Sequence, residues 1–579
     1  MKLQTHRDAR AHRASLIACC IAGTVAAGNI WFDYSSFGTV DPRAPLIDFT
    51  IVGYGTFLLL KLQRNLVLGT IIAVLLFIGG TFGMFVKYWL TWSPVSFGDL
   101  LLLPDLFGFY GTRPLLGVGV ALFVFIALFL ANLQIPHRGD IPLLVPALLV
   151  ALLLMAKAEI PAVSAATTES TLFSRPDLPA PFYLGHWGTL AASTYRFADR
   201  YSEARRLRET FGGKTAAYPD FTATHLADAQ RRNVYIVLVE SLFNPHEIDG
   251  VTFSGEPLAP PFDSWMRRGG AHAMSPVFGG RSADAEFEIL CGLPANLAES
   301  TVLFAQLTAT AIDCLPAKLG RLGWSAVSTV PVPGSFFSAE SAYRRIGFTD
   351  SIFIDQLDDS DQDGTMISAQ SLLQQQIPVV ERLLAEKRPF FSYVFLTSGH
   401  FPYPLDPKRP KTIAVAPPGP MVEDYVNTVY YNTLAVGRYI EAIRKRDPTA
   451  LIVTLGDHPP ALFPEHQATE YPGQANRTHQ VPLLIFDGTA GEVPLTGWVP
   501  DYQLPEIILD RLTDGRFCAT NRCYRAERYW IRSTGTGVTL VDSTNGQLLA
   551  CDTGAAECAA AAPEIAFWKS RIYDLIGLP

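Results

Sequence analysis

The apolar positions of this chain fall into two regimes. Before residue 160 they run in long blocks at 15–32, 45–60, 65–86, 115–132 and 141–157. Each block is near the ~17–25 residues that a helix needs to cross a bilayer. Ile71–Gly80 and Leu116–Leu130 carry no charge, whereas Asp48 interrupts the second block. After residue 230 the apolar runs shorten to strand length, at Asn233–Glu240, Phe390–Leu396, Ala450–Leu455 and Val481–Phe486. They are continuous, not alternating, as in strands buried on both faces. Helix-like segments such as Ser368–Glu386 and Met421–Lys445 lie between them, and this alternation predicts an α/β domain with a mostly parallel sheet. The expected organisation is a multi-pass α-helical membrane domain of about five spans over 1–160 and a partly helical connector over 161–230. An α/β domain over 231–500 and a C-terminal lobe over 501–579 follow.

Composition agrees with that division. Hydrophobic residues make up 49% of the 579 and charged residues 17%, below the roughly 25% of ordinary soluble domains. A net charge of −8 without a basic block argues against a nucleic-acid partner. Lys2, Arg7, Arg10 and Arg13 cluster at the N-terminus. The Lys/Arg bias then places that end in the cytoplasm, and an odd number of spans places everything beyond about 158 outside it. Six cysteines, Cys291, Cys314, Cys518, Cys523, Cys551 and Cys558, fall in that outer part. An even count in an oxidising compartment points to disulfides. The short spacings of 518–523 and 551–558 make local pairs plausible, leaving Cys291 with Cys314.

In an open α/β sheet, ligands gather beyond the carboxyl ends of the strands. Glu240 follows the first strand, Thr397-Ser398-Gly399-His400 the second and Gly456-Asp457-His458 the third, while Arg477-Thr478-His479 lies beside the fourth. Gly279-Gly280-Arg281-Ser282 falls between the first two. Each has a plain alternative. Glu240 can serve as a helix N-terminal acid, Asp457-His458 as turn residues, His400 as a loop histidine and Ser282 as a helix cap. Together these alternatives require four independent coincidences at strand ends. Two carboxylates, an imidazole and a hydroxyl instead suit one divalent ion. Such an ion lowers the hydroxyl's pKa and neutralises charge on a phosphate or sulfate ester.

The motifs VLVESLF, GGRSADAEFEILCGLP, LTSGHFPYPL, TLGDHPP and HQVPLLIF, over about 230–490, resemble the lipoteichoic acid synthase and membrane phosphoglycerol transferase family of the alkaline phosphatase/sulfatase superfamily. The five-span leader resembles it too. The resemblance implies that Glu240, Ser282, Asp457 and His458 bind the metal. It implies Mn²⁺ in the first place, with Zn²⁺ or Mg²⁺ as alternatives. Ser282 stands where the family carries its nucleophile, usually threonine, and His400 would bind or protonate the phosphate. His479 is similar to a histidine that related phosphoethanolamine transferases place beside the metal, and Arg281 could contact phosphate. Val330–Phe348 departs from the family's glycerol-phosphate pocket, with Phe336 and Phe337 in place of a tryptophan and Arg344 and Arg345 as substitute cations.

The resemblance implies a phosphoglycerol transferase of the inner membrane with its catalytic domain in the periplasm. Phosphatidylglycerol would be the donor and an envelope glycan, such as a periplasmic glucan, the acceptor. Phosphoethanolamine transfer onto a lipid or glycan is the alternative. A sulfatase or phosphodiesterase hydrolase ranks lower, because Ser282 is followed by Ala-Asp-Ala-Glu rather than Pro-x-Arg. A non-catalytic envelope protein is a further alternative.

Overall fold

The structure is a computed structural model, and it describes residues 2–37, 40–91, 95, 123–134, 140–159, 184–211, 229–298, 304, 307, 312–462, 479–488, 491–495, 498–520, 529–534, 537–542, 548–551 and 556–576. It forms two compact units, Met1–Arg206 and Leu207–Pro579.

In the first unit, Ala9–Ser35, Arg43–Leu62 and Leu66–Tyr88 are helices long and apolar enough to cross a membrane. They coincide with the first three apolar blocks. The fifth block forms the helix Ile141–Glu159. Residues 115–122 of the fourth lie outside the described residues, and 123–131 are helical. Asp48, the charge that weakens the second block, has a structural use. Its carboxylate is buried and accepts the backbone N–H groups of His186, Trp187 and Gly188 at 2.9, 2.9 and 3.1 Å. Those are orphan donors of the helix His186–Phe211, so an acid there meets both their hydrogen-bonding need and the positive end of the helix dipole.

The second unit is built on a nine-stranded sheet. In chain order its strands are β1 (Val234–Val239), β2 (Ala271–Met274), β3 (Ser325–Thr329), β4 (Asp350–Ile352), β5 (Phe390–Leu396), β6 (Leu451–Gly456), β7 (Gln480–Asp487), β8 (Gly491–Glu492) and β9 (Trp498–Pro500). They lie in the order β9-β2-β7-β6-β1-β5-β3-β4, with β8 paired to β7. The neighbours of β1, which are β5 and β6, run parallel to it, as do β3 to β5 and β4 to β3. Strand β7 runs antiparallel to β6 and to β2. The four apolar runs expected as strands are therefore β1, β5, β6 and β7.

Every residue of these four strands is buried, which explains their unbroken apolar character. Alternate side chains of β1 (Tyr235, Val237, Val239) join one core with Leu372, Val380, Val426, Val436 and Ile440. Those partners come from the helices Ala369–Ala385 and Pro420–Arg446, the two helix-like segments of the sequence. Beyond the sheet the chain adds a three-stranded sheet within 529–550 and the helix Ala556–Leu575. Cys291 is bridged to Cys314 and Cys551 to Cys558. Cys518 is disulfide-bonded as well, and Cys523 lies outside the described residues.

Candidate metal and nucleophile site at the carboxyl edge of the sheet

Glu240 and Asp457 are the first residues beyond β1 and β6, adjacent parallel strands whose last residues, Val239 and Gly456, are paired. The register alone therefore puts the two carboxylates side by side. The chain turns sharply after each. Ser241 takes the left-handed conformation, with φ 53°. Its N–H donates to Asp457 Oδ1 at 2.7 Å and its hydroxyl to Glu240 Oε1 at 3.0 Å, so one residue orients both acids. Gly456 is required by close approach, since a Cβ there would lie 2.2 Å from the Leu242 carbonyl oxygen. Gly456→Ala is expected to lower stability by about 3 kcal/mol or more, through strain in packed backbone. Thermal unfolding of the purified protein would measure it.

His458 completes the group. Its Nδ1 lies 3.0 Å from the Pro459 carbonyl, which makes Nδ1 the protonated nitrogen and turns Nε2 inward. Nε2 is 3.3 Å from both Glu240 Oε1 and Asp457 Oδ2. Asp457 Oδ2 is buried and has no hydrogen-bond partner. Among the described residues, Glu240, Asp457 and His458 form the one group whose donor atoms could jointly hold a metal, all within 4.8 Å of one another. The orphaned carboxylate oxygen and the inward imidazole nitrogen fit a divalent cation of the hard or borderline kind.

The electrostatics describe the same need. Burial pushes the Asp457 carboxyl up to about 7, reinforced by the Glu240 charge. His458 rises to about 9 although burial opposes it, because Asp457 and Glu240 stabilise the imidazolium. Burial also works against ionised Glu240, yet its bond to His458 brings it down to about 2. Protons thus hold together three groups that a divalent ion would hold instead.

Ser282 Oγ lies 3.3 Å from Glu240 Oε2 and 3.4 Å from His458 Nε2. It is the first residue of the helix Ser282–Cys291, whose N-cap position is Arg281. Ser282 is therefore not the cap itself. Gly279, Gly280 and Arg281 have φ of 67°, 155° and 67°, and this run of residues turns the chain so that the helix starts beside Glu240 and His458. Strain of this kind in a non-glycine residue gathers at functional sites. The bridge from Cys291 to Cys314 ties down the other end of the helix.

The remaining expected residues fall around this centre. His400 is exposed, with Nδ1 2.9 Å from the Phe401 carbonyl, and its charge helps hold Glu240 ionised. Gly399 (φ 114°) lets the loop pass, since a Cβ there would lie 2.7 Å from the Glu240 carbonyl oxygen. His479 is buried, with Nδ1 2.9 Å from the Ser275 carbonyl. It precedes β7, and because β7 is antiparallel, the start of that strand meets the carboxyl ends of its neighbours. Ser275 in turn donates its hydroxyl to the Asp457 carbonyl at 2.5 Å. Arg281 Nη1 is 3.9 Å from Asp284. Arg345 donates to the Leu307 carbonyl and Arg344 is exposed.

One carboxylate was not assigned from sequence. Glu286, one turn along the helix from Ser282, is buried and accepts hydrogen bonds from the hydroxyls of Tyr343 and Tyr393. Burial raises it to about 7 against those two bonds, and the charges of Asp457 and Glu240 add to the rise. Its helical spacing from Ser282 was the available signal; the two tyrosines come from distant parts of the chain.

The mostly parallel sheet thus gathers two acids, a histidine and a helix-borne serine at its carboxyl edge. Residues 232–492 match the family model Sulfatase. A protein described as a cyclic beta-1,2-glucan modification protein, from Rhizobium meliloti (strain 1021), is 23% identical over 276 residues, 45% of this chain and 42% of that protein. Lipoteichoic acid synthase 1 of Bacillus subtilis (strain 168) is 22% identical over 308 residues, 49% of this chain and 46% of that one. The chain thus matches less than half the length of either relative. The solved lipoteichoic acid synthase LtaP of Listeria monocytogenes superposes with a TM-score of 0.46 at 15% identity, over 65% of this chain and 97% of that one.

Proposed function

We propose that this protein transfers a phosphoglycerol group from phosphatidylglycerol to an envelope glycan, such as a periplasmic glucan, and releases diacylglycerol. The observation that carries the reading is the placement of Ser282 Oγ within 3.3–3.4 Å of Glu240 and His458 at a helix N-terminus. That is where a nucleophile and an incoming anionic phosphate are both stabilised. Relatives named for cyclic beta-1,2-glucan modification and lipoteichoic acid synthesis support an envelope polymer as the acceptor class. The apolar N-terminal helices support a membrane enzyme, with the catalytic domain on the periplasmic side of the inner membrane.

Glu240, Asp457, His458 and Ser282 would hold the metal, Mn²⁺ in the first place with Zn²⁺ or Mg²⁺ as alternatives. When bound, such an ion neutralises charge on the phosphoryl group and lowers the serine's pKa. Ser282 Oγ, its proton first given up to solvent, attacks phosphorus as the alkoxide, its new O–P bond forming as the diacylglycerol O–P bond breaks. His400, in its cationic form, gives a proton from Nε2 to the leaving diacylglycerol oxygen. A glycan hydroxyl then attacks the phosphorus of the serine ester, passes its proton back to His400 and releases Ser282. Arg281 and His479 flank the position that the phosphate oxygens occupy.

The test uses full-length protein in mixed micelles with phosphatidylglycerol or, separately, phosphatidylethanolamine, in the presence of Mn²⁺ or Zn²⁺. Diacylglycerol followed by mass spectrometry should appear from phosphatidylglycerol alone. Release only from phosphatidylethanolamine would move the reading to phosphoethanolamine transfer. Release from neither lipid with any metal would end it.

A further inference from the structure

We infer that Arg409 is a positioning residue for His400, acting through a clamp formed with Asp361 and Asp363. The inference rests on the proposed role of His400 at the phosphate. That histidine sits in the loop between β5 and the helix Pro420–Arg446, and both ends of the loop are fastened.

At the near end, Ser398 donates its hydroxyl to Asn432 Oδ1 at 3.0 Å, and Asn432 Nδ2 donates to the Ser398 carbonyl at 2.6 Å. At the far end, Arg409 Nε donates to Asp363 Oδ1 at 2.8 Å. Its Nη1 reaches both oxygens of Asp361, at 3.0 and 3.2 Å, and its Nη2 the Gln362 carbonyl at 3.0 Å. Asp361 precedes, and Asp363 belongs to, a hairpin of two-residue strands, Gln362–Asp363 and Met366–Ile367, which precedes the helix Ala369–Ala385. The hairpin is fastened to that helix through Ser368, which donates to Asp361 Oδ2 at 2.6 Å and caps the helix at Ser371 N–H.

The hairpin then holds the loop at three more points. Asp363 Oδ1 accepts the Asp406 N–H at 2.9 Å. Asp363 Oδ2 lies 3.5 Å from Ser398 Oγ, two residues before His400. Gly364 packs so closely on Pro404 that a Cβ would come 2.5 Å from its ring. Asp363 therefore touches both ends of the loop, and the Arg409 guanidinium, with 12% of its side chain exposed, neutralises it. A fork of donors on two carboxylates fixes direction as well as distance, which a lysine would not. Removing it leaves Asp363 buried without its cation, an arrangement that relaxes by parting. The loop between the two fastenings would then carry His400 away with Gly399, whose backbone packs on the Glu240 carbonyl.

The experiment compares full-length wild type, Arg409→Gln, Arg409→Lys, His400→Ala and the double variant Arg409→Gln/His400→Ala. Amide hydrogen exchange over 397–409 should quicken about tenfold or more in Arg409→Gln, with exchange in β1 and β6 unchanged. Diacylglycerol release from phosphatidylglycerol should fall about 10–100-fold in Arg409→Gln, as a small misplacement of a reacting group can cost. Arg409→Lys should restore part of it. In the His400→Ala background, Arg409→Gln should cost no more than about threefold further. Mn²⁺ content should be the same in all five proteins. Unchanged exchange in the loop would overturn the inference whatever the activity. Multiplicative losses in the double variant would overturn it too, by placing the effect of Arg409 elsewhere. If His400→Ala itself has full activity, the reading of His400 fails, and the exchange measurement still decides whether Arg409 holds the loop.

Discussion

Ser282→Ala is expected to lower diacylglycerol release by at least about 10³-fold, since the variant loses the hydroxyl proposed as the covalent nucleophile. Ser282 is the one hydroxyl on the helix start that reaches both Glu240 and His458. The helix itself is held by the Cys291–Cys314 bridge and by Glu286 under its first turn, so the variant should fold and keep most of its metal. Two measurements check this. Intact-protein mass spectrometry after rapid acid quench should find a phosphoglycerol adduct on wild type given phosphatidylglycerol but no acceptor, and none on Ser282→Ala. Thermal unfolding should give nearly equal midpoints. An adduct on the variant would move the nucleophile to another residue.

Metal removal should have a comparable effect, and its pH dependence follows from the protons that the empty site holds. Asp457, raised to about 7, and His458, raised to about 9, both bind protons in the metal-free protein near neutrality. A divalent ion must displace them, so its apparent affinity should rise with pH and level off above about 9, by up to about tenfold per unit for each proton displaced. Glu240, held down at about 2, is already ionised and adds no slope in this range. Titration of chelator-treated protein with Mn²⁺ at several pH values, followed calorimetrically, measures the slope. A flat profile between pH 6 and 9 would remove Asp457 and His458 as ligands. Asp457→Asn should weaken binding by at least about 100-fold, more than outer-shell substitutions usually do.

The legible part of this molecule was the part where chemistry follows strand ends directly. Glu240 and Asp457-His458 each come immediately after a continuous apolar run, so finding β1 and β6 also found them. Short strands left no such signal. Ala271–Met274 and Ser325–Thr329 mix polar and apolar residues over four and five positions, Trp498–Pro500 is only three residues long, and all three join the sheet by long-range pairing. The reversed direction of β7 was equally invisible, because an antiparallel strand and a parallel one bear the same apolar run. That direction is what brings His479 to the edge of the sheet that carries Glu240 and Asp457. Glu286 was seen only as a residue of the helix's first turn, since the partners that define it, Tyr343 and Tyr393, depend on tertiary contacts. Asp48 looked like a flaw in a span, and its use became clear only when residues 186–188 came to meet it.

The sulfur chemistry of the chain divides along its length. Cys291, Cys314, Cys518, Cys551 and Cys558 are oxidised, while Cys19 and Cys20 are exposed free thiols on the first helix. Among the described cysteines, a lipid-soluble maleimide would thus react at that one place, and without any engineered mutation. A fluorophore or spin label can be installed on the first apolar helix of the native protein while the described disulfides stay untouched. Any change in its signal on adding donor lipid would then be reported from the membrane and not from Ser282.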